Sequence, residues 1–159
     1  MLCFYDREAA VDYAKEWALR KNPRFMVCNC KGCESASFVS ECLFSGCNVM
    51  NVDEKGGWYY KHKKCYGKAW VNDKALFEFL VNNSGKGPRG MLIDKNNVRK
   101  GDIVQFYGEN ANILSSAVIT DINGKEILTC AHGINSFMRP LHSYCIETAR
   151  YIHICEVKI

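Results

Sequence analysis

Proline is scarce in this 159-residue chain, which holds three, and histidine nearly so, with four. No proline-rich linker, low-complexity tract or internal repeat interrupts it. Against a typical domain of roughly 150 residues, the length predicts one domain over 1–159. Long apolar runs are missing too: the longest are a few residues, against the ~20 of a membrane-spanning helix, so no membrane span is expected. Charge of one sign is also lacking. The 21 Lys and Arg against 17 Asp and Glu leave +4, and Lys61, Lys63 and Lys64 form the one dense basic cluster. A nucleic-acid footprint calls for a clustered stripe and a more extreme isoelectric point than about 8.5, so no nucleic-acid partner is expected. The opening MLCFYDREAA carries acid where a secretory signal carries basic charge, and no hydrophobic segment follows. The chain as written is therefore expected to be cytoplasmic.

What the chain does have is a folded composition, 48% hydrophobic and 24% charged, and ten cysteines. Ten in 159 is thin for a disulfide scaffold, and the chain is long enough to bury a core unaided. With no export signal, reduced thiols are expected, several of them serving as small buried hydrophobes.

Period and capping predict the elements. Asp6 is placed to cap a helix reaching about Lys21, with Ala10, Ala14, Trp17 and Ala18 on one face and Asn22-Pro23 ending it. A second helix is predicted over about Ser35 to Ser45, stopped by Gly46, and a third begins at Asn72 and carries Leu76, Phe79 and Leu80. Gly85 to Lys100 reads as a polar surface loop. The second half turns to strands: Ile103 to Tyr107, Ser116 to Ile122, Lys125 to Cys130 around an Asn123-Gly124 hairpin, and Tyr151 to Val157. Helices first and antiparallel strands later predict an α+β fold, with N-terminal helices packed on one face of a curled antiparallel sheet.

Three patterns carry candidate chemistry. Cys28, Cys30 and Cys33, with His62 and Cys65, supply soft ligands at spacings that tetrahedral zinc accepts; the plainer reading is a cysteine-tolerant loop, and no cofactor is expected. His62 reads as solvated, His142 lacks a visible partner, and His153 reads as a half-buried structural residue. His132 closes the strand after the hairpin, where a sheet edge delivers a side chain to a cleft, though a strand-end histidine bonded to a loop carbonyl explains it equally well. Trp58, Tyr59 and Tyr60 are placed either to line a groove for an extended ligand or to fill the core.

An ordered series of segments resembles the putative amidase domain family, within the papain-like NlpC-type and CHAP-type cysteine hydrolases. The series runs through Tyr5-Asp6-Arg7-Glu8-Ala9-Ala10-Val11, Trp17, Asn22-Pro23 and Phe38-Val39-Ser40-Glu41-Cys42-Leu43. It continues through Trp58-Tyr59-Tyr60, Trp70-Val71-Asn72, Gly87-Pro88, Gly101-Asp102-Ile103-Val104-Gln105-Phe106-Tyr107 and Ala117-Val118-Ile119-Thr120. It closes on His132, Arg139-Pro140-Leu141 and Tyr151-Ile152-His153-Ile154. The resemblance implies a papain-like fold in which a cysteine at a helix N-terminus attacks an amide, a histidine on a sheet strand is the base, and a third polar residue orients it. Bacterial cell-wall peptides are the implied substrates. Helix dipole and imidazolium together favour the thiolate that such a site needs.

Carried over residue by residue, the nucleophile position falls on Ser35, the base position on Ser115 and the third polar position on His132. Both residues that would carry the reaction are serine, and Ser115 cannot take a proton at neutral pH. The resemblance thus implies a silenced amidase scaffold that binds a peptide, a cell-wall fragment or a protein partner in its groove. Two alternatives stay open. One is an active cysteine amidase or peptidase of peptidoglycan peptides, with Ser35 an engineered replacement or part of a rearranged Ser35–His132 dyad. The other is a zinc-stabilised interaction module.

Overall fold

The computed structural model describes residues 1–27, 30–108, 110, 112–146 and 148–159. Asp6 caps the first helix as its position predicts, its Oδ1 accepting from the Ala9 amide at 3.0 Å, and α1 runs Arg7–Trp17 with Ala10, Val11 and Ala14 buried. The second helix, α2 (Glu34–Cys47), follows Cys33 at its N-cap position and stops where Asn48 turns left-handed at φ 53°. It is buried almost all round, the pattern of a helix at the centre of a fold rather than on its surface. A one-turn helix, α3 (Lys68–Val71), leads to Asn72, whose side chain accepts from the Ala75 amide at 2.9 Å and opens α4 (Asp73–Asn82).

One antiparallel sheet receives these helices. Its strands are β1 (Leu2–Cys3), β4 (Gly87–Ile93), β5 (Ile103–Tyr107), β6 (Ile113–Asn123), β7 (Glu126–Ala131), β8 (Ser136–Pro140) and β9 (Thr148–Lys158). The order is β1-β9-β5-β6-β7-β8, with β4 also paired to β9, while β2 (Tyr60–His62) and β3 (Cys65–Tyr66) form a separate ribbon. Ile152 pairs with both Leu92 and Ile103, and Val157 with both Pro88 and Cys3. So β4 flanks one side of β9, while β1 and β5 lie end to end along the other.

The two-residue period sorts the sheet into two faces. Ile103, Val118, Cys130, Ile152 and Ile154 pack under the helices against Phe38, Leu43, Trp58, Trp70, Leu76 and Leu80, most of these fully buried. Burying one such aliphatic or aromatic side chain contributes roughly 1.5–3 kcal/mol. Val104, Phe106, Ala117, Ile119 and Ala131 face the other way, onto a smaller cluster with Leu141.

The α+β reading holds, with two corrections. Residues Gly87–Ile93, within the stretch expected to be a surface loop, form β4, which pairs with β9 along its whole length. The hairpin turn sits one residue later than expected: Asn123 pairs with Glu126, which leaves Gly124 and Lys125 as its two turn residues, Gly124 at φ 63°.

Candidate functional site

Ser35 lies in the first turn of α2, buried beneath the N-terminus of α4. Its hydroxyl donates to the Asp73 carboxylate, at 3.1 Å to Oδ1 and 3.0 Å to Oδ2. Asp73 is the first residue of α4, where a helix N-terminus favours a negative charge. Ser116, fully buried on β6, donates its hydroxyl to the same Oδ1. Gln105 of β5 brackets the pair, its Nε2 donating to the Asp73 carbonyl at 2.8 Å and to Ser116 Oγ at 2.9 Å. Arg150 of β9 closes the chain by donating Nε to Gln105 Oε1 at 2.7 Å, with its guanidinium carbon 3.3 Å from the centre of the Phe77 ring. A continuous polar network, Arg150–Gln105–Ser116–Asp73–Ser35, buried except at Arg150, therefore joins two helices and three strands.

Burial pushes the Asp73 carboxyl above the ordinary range, and the hydrogen bonds from Ser116 and Ser35, with the more distant Arg150 charge, pull it part of the way back. The network holds no imidazole and no thiol. Its one acceptor for the Ser35 proton is a carboxylate, a weak base, already shared with Ser116. The arrangement holds the Ser35 hydroxyl on a carboxylate that it shares with Ser116.

Ser35 and Ser115 do line one cavity, of about 320 Å³, whose other walls include Phe106, Ala131, Ile134 and Tyr144. The hydroxyl that reaches the Ser35 partner, however, belongs to Ser116. Ser116 shares its face of β6 with Val118, under the helices, whereas Ser115 falls on the face of Ala117 and Ile119. Ser115, the expected base position, thus shares the cavity with Ser35, while the neighbouring Ser116 shares its carboxylate partner.

His132 goes elsewhere. Its ring stacks on Phe38 at 4.1 Å between centroids, and Nε2 lies 2.7 Å from the Trp17 carbonyl. Burial lowers its pKa, with the Trp17 and Arg20 backbone acting in the opposite sense. It lines a second, smaller cavity of about 70 Å³, with Cys30, Cys33, Ser37 and Glu41 but without Ser35. A Ser35–His132 dyad has no hydrogen bond to rest on in this arrangement.

The aromatic cluster is core rather than groove. Trp58 is fully buried against Trp70, its Nε1 donating to Ser40 Oγ at 2.9 Å, and Tyr60 donates its hydroxyl to the Met26 carbonyl at 2.7 Å. Tyr59 is half-buried, with the Lys61 ammonium 5.5 Å from its ring centre. Of the five candidate zinc ligands, Cys28 lies outside the described residues. Among the described residues, Cys30, Cys33, His62 and Cys65 do not gather into a set of three that could hold a metal. His62 and His142 are exposed, and His153 is the half-buried structural histidine its strand position predicts, 3.0 Å from Asp102.

Residues 4–155 match the model of the family described as putative amidase domain. The chain belongs to that family. The uncharacterized protein YjcM of Bacillus subtilis (strain 168) is 28% identical over 106 residues, which cover 67% of this chain and 23% of that protein. The matched region thus spans about a quarter of its relative's length. No solved structure gives a significant match. Among the described residues no helix is long and apolar enough to cross a membrane.

Proposed function

We propose that this member of the amidase family has lost amide hydrolysis and acts as a binding or regulatory domain, on the scaffold of a papain-like cell-wall hydrolase. The observation that carries the reading is the fate of the Ser35 hydroxyl. It sits at a helix N-terminus, where the family resemblance expects a thiolate, and it is bonded to Asp73, with Ser116 rather than a histidine opposite. A serine without a base in hydrogen-bond reach is a poor nucleophile, and loss of either partner of such a pair costs several orders of magnitude in rate. The cavity shared by Ser35 and Ser115, walled by Phe106, Ile134, Tyr144 and Ile146, is within the size range of small-ligand sites and supports binding of an apolar side chain. A peptide, a cell-wall fragment or a partner protein would present one.

The deciding experiment incubates the protein with peptidoglycan peptides beside Ser35→Cys/Ser116→His and Ser35→Cys/Ser115→His variants. The unmodified chain is expected to release no product above the blank, and the Ser116→His pairing to recover measurable hydrolysis ahead of the Ser115→His pairing. Turnover by the unmodified chain would overturn the reading. So would full activity from Ser35→Cys alone, which would mark Ser35 as the one missing piece of a working cysteine enzyme.

A further inference from the structure

Cys30 and Cys33 stand apart from the Ser35 network. They occupy the two ends of a turn through Lys31 and Gly32, with Gly32 at φ 72°, a value that a residue with a Cβ rarely adopts. Ends of a four-residue turn approach within ~7 Å between Cα atoms, a range that includes disulfide geometry. The Cys33 thiol donates to the Cys30 carbonyl at 3.1 Å, so its sulfur already points back along the turn. Exposure is divided between the two: Cys30 is half-exposed and Cys33 is buried.

The cavity behind the pair adds a second, independent observation. Cys33, Ser37 and Glu41 follow one another at four-residue spacing along α2 and line the same small cavity. Ser37 Oγ is buried there with no well-formed hydrogen bond. Glu41 is a buried carboxylate whose partner is the Tyr13 hydroxyl, at 2.7 Å.

We infer that Cys30 and Cys33 form a redox-active dithiol that exchanges with disulfides, low-molecular-weight disulfides such as oxidised glutathione being the class it takes. Cys30, the sulfur that solvent reaches, attacks as thiolate on one sulfur of the incoming disulfide. A Cys30–S–S–R bond forms, the R–S–S–R bond breaks, and one thiolate leaves. Cys33 then gives its proton to the thiolate released in the first step and attacks the Cys30 sulfur, forming the Cys30–Cys33 bond and expelling the second thiolate. The dithiol gives up two electrons and two protons, and the disulfide becomes two thiols. Burial pushes the Cys33 thiol up to about 12, which suits the inner, resolving member of such a pair. The bond would lock the entry to α2 two residues before Ser35.

The test treats the fully reduced protein with graded ratios of oxidised to reduced glutathione, quenches with an alkylating reagent and maps every cysteine by peptide mass spectrometry. Exposed Cys145 and Cys155 serve as internal reporters of ordinary glutathionylation. The expected result is a loss of two hydrogens in a Cys30–Cys33 crosslink at ratios that leave both reporters free. A Cys33→Ser variant is expected to accumulate glutathione on Cys30, because nothing resolves it. Alkylation of both Cys30 and Cys33 after the reporters are modified would overturn the inference. So would a crosslink that joins either of them to Cys28 instead, or stable glutathione on Cys30 in the unmodified chain.

Discussion

Glu41 is a carboxyl whose charge the fold tolerates poorly. Burial raises its carboxyl from 4.5 to about 8, against the lowering effects of the Tyr13 hydrogen bond and the Lys21 charge. Because the folded pKa lies above the unfolded one, this group's contribution to stability is complete below about pH 4.5 and is lost as pH rises through about 8. Urea unfolding between about pH 5 and pH 8 should therefore show stability falling with pH, by an amount on the order of a few kcal/mol. Glu41→Gln keeps an acceptor for Tyr13 and should flatten that slope; an unchanged slope would show that another group sets it. At this scale the site was half legible in the sequence. Ser35 announced itself through its place before Phe38-Val39. Asp73 did not, because a carboxylate in the first turn of a helix has a sufficient local explanation in the dipole. Ser116 was not singled out either, though the alternation of Ser116, Val118 and Thr120 against Ser115, Ala117 and Ile119 places it on the helix-covered face.

Between elements, the end of α2 approaches the start of α1 closely. Gly46 near the end of α2 accepts the Asp6 amide at 2.9 Å, and a Cβ there would lie 2.7 Å from the Asp6 carbonyl oxygen and closer still to the Tyr5 ring. Gly46→Ala is thus expected to lower stability by about 1–3 kcal/mol through overpacking, although alanine is the better helix former. Thermal denaturation checks it, and a variant as stable as the parent would show that the Tyr5 ring yields freely. In the sequence Gly46 reads simply as a stop signal for the helix, and its packing role needed the partner helix to be seen. The same limit hid β4. Gly87, Pro88 and Gly90 are turn residues by composition, yet Gly90 sits in the ladder because only a bare Cα fits against Ile152 and the His153 carbonyl. The helix caps and the strong alternation of β5, β6 and β9 were legible because local chemistry determines them.

For the molecule as a whole, one buried carboxylate ties the first helix to the sheet. Asp102, with no exposed side chain, accepts from Arg7 Nη1 at 2.7 Å, from the Arg99 amide at 2.8 Å and from the Ile154 amide at 3.2 Å, beside His153. Arg7 in turn donates to the Ile154 carbonyl at 2.6 Å. Removing one partner strands the other, so Arg7→Ala and Asp102→Ala are each expected to cost about 3–5 kcal/mol. The double variant should cost less than the sum, and strict additivity in urea titrations would mean that the two do not act together.

The position of β9 has a consequence for biosynthesis. It is the last strand of the domain to be made, yet β1, β4 and β5 all pair with it. While the chain is being translated these three strands present open edges and nothing to close them. A nascent domain in that state is exposed to self-association until β9 emerges to pair with them.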